Sequence, residues 1–431
     1  MNLLKKILAA EVYPALGCTE PTSCAYAAAI AAQHLGEPVS RLTLRVDPGT
    51  YKNGAAVTVP YADGAKGNLI AAALGAVLAR PDAKLELLEN VTPEVRRQAR
   101  RLLDGGNCRY HCLDQQPEFR VEVELGSARH VCGCVLAGSH THIERIEKDG
   151  RPLDGPTTGR QDPSPSHYRD VLKTIDLATL LASAEQIDAD DRDVLQSGVE
   201  MNLNMAERGL QTGCTAGQLR RMHDDGYVAA DLFYRTKLQV ASAVDARMAG
   251  APQPVMTSGG SGNQGIVAIL TPLLAGREMG VDHERILRSL AVAHLINAYV
   301  KCFVGELSVI CGCAMAAGIA AAVAVVYQQA GVDMPKITAA VNNVVGDLGG
   351  LICDGAKPGC AMKAVTAVDT ALRSALMALR GYGISDDDGV VGRTAEDSIR
   401  NLGRITLEGM FPVDPTVLKI LQEKAARSGR A

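Results

Sequence analysis

Tryptophan is absent from this 431-residue chain, and only 3% of its residues are aromatic. A core built around large rings is excluded, as is an aromatic face for stacking bases. There is no run of lysine or arginine, and the formal net charge is −4, so no nucleic-acid partner is expected. The opening stretch MNLLKKILAAEVYPALG has a short apolar segment interrupted by Glu11 and no cleavage context, so it does not read as an export signal. The 12 cysteines are therefore expected in a reducing cytoplasm, where they serve metals, catalysis or core packing rather than disulfides.

What the chain does have is small apolar side chains. Alanine carries much of a 47% hydrophobic composition, and there are 43 glycines besides; such residues let helices approach closely. The length suggests two to three domains. Leu307 to Tyr327 is uncharged and long enough to span a bilayer. Its Ala, Gly and Cys content and its lack of aromatic belts or basic flanks argue instead for a buried central helix and no membrane partner.

Residues 2–35 read as two helices interrupted between Pro14 and Pro21. Period-2 alternation marks strands in RLTLRVD and FRVEVEL, and AAVTVP, KLELL, RHVCGCVLAG and HTHIERIE extend the pattern. NLIAAALGAVLAR and TPEVRRQARRLLDGG read as helices, the second started by Thr92 and Glu94 and stopped by Gly. Residues 38–150 thus form an α/β unit with a mostly antiparallel sheet. Arg151 to Asp170 is a Pro/Gly/Ser-rich linker, and helices dominate residues 171–431. The fold class is α+β. Residues 1–37 and the C-terminal half are expected to make one helical catalytic domain, into which the α/β unit is inserted.

The cysteines fall into groups. Cys108, His111, Cys112, Cys132, Cys134, His140 and His142 offer zinc-type ligands, but their spacing is not that of a zinc ribbon or finger. Cys132 and Cys134 alternate on one strand face, an ordinary way to line a core. Cys311, Cys353 and Cys360 stand 42 and 7 residues apart. Cys353 and Cys360 bracket the flexible loop DGAKPG, and with Cys311 on a helix they make a plausible thiolate cage for an iron–sulfur cluster. Buried core packing is the competing reading. Three ligands would leave one iron open as a Lewis acid. Cys24, Cys214, Cys302 and Cys313 read as small core residues.

MTSGGSGNQGIVAIL contains Gly260-x-Gly262-x-x-Gly265, but no βαβ context supports a dinucleotide site. No Lys-Ser/Thr follows, so it is not a P-loop. A glycine loop opening a helix suits a small anion such as an amino-acid carboxylate, with Ser261 and Asn263 adding hydrogen bonds; a simple capping turn is the alternative. Cys18 in GCTEP stands before a long Ala-rich helix. Thr19 is the expected N-cap and Pro21 lies in the first turn. The helix mouth would favour a thiolate at Cys18.

Together GCTEP, YKNG, SGNQG, the cysteine of LSVICG and ICDGAKPGCAMK resemble the iron–sulfur L-cysteine desulfidases, which are distantly similar to iron–sulfur L-serine dehydratases. The match runs from Ala15 to about Leu402. It implies a lyase that converts L-cysteine to pyruvate, ammonia and sulfide with a [4Fe–4S] cluster, one iron open, and no pyridoxal phosphate. The implied cluster ligands are Cys311, Cys353 and Cys360, with Cys18 the base and the SGNQG loop holding substrate. Thr19, Glu20, Asn53, Ser261, Asn263 and His294 are the substrate-site candidates; Glu20 suits the ammonium, and His294 also reads as a hydrogen-bonded core residue. Two departures stand out: Ser258-Gly259 where relatives would carry Asn-Ser, and Glu306 where they tend to carry a basic residue. L-Serine or another thiol amino acid is the alternative substrate, and a non-catalytic iron–sulfur sensor or zinc protein the rival class. Ala/Gly-rich helices could also pack across a homodimer.

Overall fold

The computed structural model describes residues 3–113, 118–153, 165–211, 214–305 and 308–427. Two N-terminal helices, α1 (Leu3–Glu11) and α2 (Thr19–Leu35), flank a short strand, β1 (Pro14–Leu16). The α/β unit follows with β2 (Arg41–Val46), α3 (Pro48–Gly54), α4 (Asn68–Leu78) and α5 (Pro93–Asp104). Its remaining strands are β3 (Cys108–Cys112), β4 (Arg120–Gly126), β5 (Val131–Ala137), β6 (Ile143–Lys148) and β7 (Arg151–Pro152).

These strands form one sheet in the order β3-β2-β4-β5-β6-β7. Only the β2–β3 pair is parallel. The fold is α+β with a mostly antiparallel sheet. Alternation puts Leu42, Leu44 and Val46 on the same face as Val121, Val123 and Leu125, which is why period 2 was readable. Two expected strands are absent: AAVTVP makes only the isolated bridge Thr58–Lys66, and KLELL lies in a 3-10 stretch, Pro81–Asn90. Its leucines Leu85, Leu87 and Leu88 are buried all the same, so a short apolar run signalled burial and not extension. Thr92 caps α5 by accepting from Val95 N.

The C-terminal part is helical: α6 (Pro165–Thr174), α7 (Leu177–Ala182), α8 (Ala189–Gly209), α9 (Thr215–Asp224) and α10 (Leu232–Met248). A three-residue strand, β8 (Pro254–Met256), pairs antiparallel with β1. Then come α11 (Gly262–Glu278), α12 (His283–Val304), α13 (Ala316–Ala330), α14 (Met334–Leu348), α15 (Cys360–Leu379), α16 (Ala395–Arg404) and α17 (Val413–Arg427). Most of the expected linker, residues 154–164, lies outside the described residues, as do Glu306 and Leu307.

Two apolar cores result, one among the helices and one against the sheet. Leu4 and Ile7 of α1 pack into the helical core, but the alanines of α2 pack into the sheet core against α4. A helix with alanine on nearly every face has no polar side to turn outward. It is buried almost throughout, between sheet and helices. Cys18, just ahead of it, belongs to the helical core. The start of α2 therefore stands at the seam between the two cores.

The apolar segment is not one helix. Residues 308–315 are irregular, tied by the bridge Ile310–Ile352, and only α13 is helical and buried. One helix among the described residues, His283–Val304, is long and apolar enough to cross a membrane, and 83% of that stretch is buried inside the protein.

Candidate functional site

Three motifs distant in sequence line one cleft at the seam, which encloses about 890 Å³ counting its mouth. The first is GCTEP. Gly17, at φ +71, turns the chain out of β1 in a conformation open to glycine at little cost. Cys18 is extended and occupies the N-cap position, with Thr19 already helical; Thr19 is thus not the cap. The Cys18 thiol makes no capping bond and donates instead to Glu20 Oε2 at 2.9 Å. Glu20 is buried and also accepts from Thr19 Oγ1 at 3.2 Å and from Asn53 Nδ2 at 2.7 Å. Asn53 is positioned by α3, whose cap Asp47 accepts from Thr50 and from Arg120 N of β4. The sheet thereby sets a residue of the cleft.

The electrostatics reverse one expectation. Burial and the adjacent Glu20 carboxylate push the Cys18 thiol well above its ordinary range, with Arg247 only partly opposing them. The helix mouth loses to desolvation and a like charge. Burial works against the Glu20 charge, but nearby His140 and the bonds from Cys18 and Asn53 prevail and hold its carboxyl below the usual range. The resting pair is a thiol donating to a carboxylate.

The second motif is SGGSGNQG. Gly260 N donates to Glu11 O at 3.0 Å, and Ser258 and Ser261 pair with each other, so these amides are engaged within the turn and not free for an anion. Ser258 Oγ meets His294 Nδ1 and Asn297 Nδ2, each at 2.9 Å. His294 does not line the cleft; it is buried behind the loop, and burial lowers its pKa to about 4. Ser261 and Asn263 do line the cleft. Asn263 Oδ1 accepts from Arg247 Nη1 at 2.9 Å, while Arg247 Nη2 donates to Gly17 O. Lys301 donates to Gly259 O.

The third motif is the cysteine set. Cys311 N donates to Leu351 O and Cys353 N to Val309 O, each at 2.7 Å, which lays the two segments side by side. Cys360 is the first residue of α15. All three thiols line the cleft with Cys18. Cys311 sits in the irregular segment and not on a helix, because the bridge to 351–353 interrupts one there. The adjacent Cys313, helped by the Ala314 amide and Lys363, brings its thiol down to about 6. Burial pushes Cys360 up to about 11. Cys313, expected in the core, instead faces the same cleft.

Positive charge surrounds this set. Lys363 bonds Ile352 O at 2.7 Å and pairs with Asp354, which Lys357 and Lys363 hold down to about 2 against burial. Lys52, its side chain 1% exposed, pairs with Asp414 of α17 at 2.6 Å and lines the cleft. Cys311, Cys353 and Cys360 on one cleft are a thiol set of the kind that holds an iron–sulfur cluster. Among the described residues no three His, Cys, Asp or Glu groups close around a single ion position.

The other cysteines separate cleanly. Cys132 and Cys134 are fully buried on the inner face of β5. β3, with Cys108 and Cys112, is three strands away, about 14 Å at the usual strand spacing, so the two pairs cannot share a metal. His111 is exposed, and His140 belongs to the cleft. Cys24 is core, and Cys302 is half-buried against the helical core; Cys214, expected in the core, is exposed.

Of the residues expected from sequence, Cys18, Thr19, Glu20, Asn53, Ser261 and Asn263 line the cleft; His140, grouped above with zinc-type ligands, joins them, as do Lys52, Arg247, Gln264 and Lys301, which were not singled out. The usable signal was a lone cation in an apolar helix: Arg247 in AVDARMAG, Lys301 in AYVKCFV.

The fold and cleft define a thiol-rich enzyme site, and residues 82–419 match the serine dehydratase alpha chain family. The chain belongs to that family, an iron–sulfur-dependent group of dehydratase-type lyases. It is 47% identical to UPF0597 protein GSU1527 of Geobacter sulfurreducens over 98% of this chain and 99% of that one. It is also 42% identical to a UPF0597 protein of Elusimicrobium minutum, covering 98% and 100% respectively.

Proposed function

We propose that the protein is an L-cysteine desulfidase, eliminating sulfide across Cα and Cβ of L-cysteine without pyridoxal phosphate. The observation that carries this reading is the meeting of the Cys18–Glu20 pair with Cys311, Cys353 and Cys360 on one cleft. Those three thiols would hold a [4Fe–4S] cluster, and its open iron would supply a Lewis acid for the departing sulfur.

The protein's own residues account for the proton. Glu20 receives the substrate ammonium. That pairing cancels the carboxylate charge which, with burial, holds the Cys18 thiol up, so Cys18 can release its proton to solvent as substrate enters, and the thiolate takes the α-proton. The Cα–H electron pair forms the double bond as the C–S bond breaks and sulfide leaves. The resulting aminoacrylate tautomerises to an imine, and water hydrolyses it to pyruvate and ammonia. A cytoplasmic enzyme acting on a small amino acid as a homodimer, with no nucleic-acid or membrane partner, completes the reading.

L-Serine is the second substrate candidate, favoured by the name of the matched family. Anaerobic assays of pyruvate from each amino acid, with sulfide from cysteine, decide between them. Faster kcat/KM for L-cysteine supports the desulfidase, and faster turnover of L-serine overturns it. Full turnover in C18A with its cluster retained would remove Cys18 from the base role.

A further inference from the structure

Arg247 is a charge in an unusual position. It comes from the last turn of α10 and is 3% exposed, yet it lines the cleft with Cys18 and Glu20. Both of its hydrogen-bond partners, Gly17 O and Asn263 Oδ1, are neutral. Its Nε has no partner, and among the described residues no carboxylate pairs with it. Gly262 leaves room for the group, since a Cβ there would lie 2.5 Å from Nε. A buried cation without a counter-charge is costly, and such charges are normally paired. No described carboxylate fills this role, which leaves the guanidinium open to an anion that enters the cleft.

We propose that Arg247 receives the α-carboxylate of the amino-acid substrate where the GCTEP turn meets the SGNQG loop. This rests on the amino-acid lyase reading above. A zwitterion fits the polarity of the cleft. Glu20 takes the ammonium, and Arg247 takes the carboxylate through a charge-assisted bond. Cys18 links the two: it follows Gly17, whose carbonyl Arg247 holds, and donates to Glu20. Cα is thereby brought to the thiol. Asn263 acts through Arg247, as a positioning residue that orients the guanidinium.

The test is calorimetric binding to the anaerobic holoenzyme of L-alanine, which has no leaving group, and of L-alaninamide, which lacks the carboxylate. Wild type should bind the acid about 10- to 100-fold better than the amide, as expected for a hydrogen bond to a charged group. R247M should bind both equally. N263D supplies an internal carboxylate to the guanidinium; it should lose the same preference while melting no lower than wild type, and it carries the test if R247M does not fold. A wild type that does not discriminate, or an R247M or N263D that still does, overturns the proposal. If wild type binds neither amino acid but holds pyruvate in an Arg247-dependent way, the carboxylate seat stands and the amino-acid reading fails.

Discussion

The tripeptide Cys-Gly-Cys occurs twice, and the two copies behave oppositely. Cys132-Gly133-Cys134 lies in β5, where alternation turns both thiols into the sheet core. Burial pushes Cys132 up to about 11, against the pull of Lys148, and Cys134 further. Cys311-Gly312-Cys313 lies in the irregular segment before α13. There the neighbouring Cys313, with the Ala314 amide and Lys363, lowers the Cys311 thiol to about 6. A shared tripeptide carries no chemistry of its own; backbone conformation decides whether neighbouring thiols fill space or cooperate.

The largest expected effect breaks this comparison outright. C311S should lose nearly all iron and acid-labile sulfide along with turnover, whereas C132S should keep its iron and lose only stability. Metal analysis after anaerobic reconstitution, beside melting curves, reads both. Full iron in C311S would make the loop cysteines as structural as those of the strand.

Next in size is the coupling of Cys18 to Glu20. The carboxylate contributes to holding that thiol up, so E20Q should move Cys18 alkylation in the cluster-free protein to lower pH. Cys134 should stay unreactive in either protein. Peptide mass spectrometry across pH 7 to 10 gives the limb, and an unmoved Cys18 would mean that burial alone sets it.

How much of this was legible is itself explained by the two regions. Strands β2, β4, β5 and β6 announced themselves because one face is buried and the other wet. Strand β3 did not, since CRYHC lies at the sheet edge with half-buried and exposed residues alternating. GCTEP, SGNQG and the loop cysteines were readable as candidates. Their convergence was not, because it depends on a β1–β8 pairing of three residues each and on α2 joining the sheet core. Arg247 was missed, and His140 was grouped with the wrong partners, for a related reason: each is ordinary in its local sequence and unusual only in what it faces.

His294 offers a smaller test, of the loop's support. It is neutral when folded, with a pKa of about 4 against 6.5. The unfolded chain binds a proton in that interval and the folded one does not. The contribution is therefore fully present above pH 6.5 and is lost as pH falls toward 4, by roughly 3 kcal/mol in all. Denaturant midpoints from pH 7.5 to 4.5 should fall more steeply in wild type than in H294N. Equal slopes would show that His294 is protonated in place.

The smallest effect returns to the strand. Cys134 sits opposite Val123 on one side and Ile146 on the other, fully buried and facing no cleft. Removing its sulfur leaves a small void among close-packed neighbours, so C134A should lose about 1–2 kcal/mol of stability. C134V fills the void and slightly overfills it, since valine is larger than cysteine, and should recover part of that loss, with iron content and turnover unchanged in both. A cysteine that valine can replace is there for its size. The same exchange at Cys353 or Cys360 should fail however well the protein folds, because a side chain of similar volume cannot bind iron. That contrast separates packing from chemistry at residues of one type within a single chain.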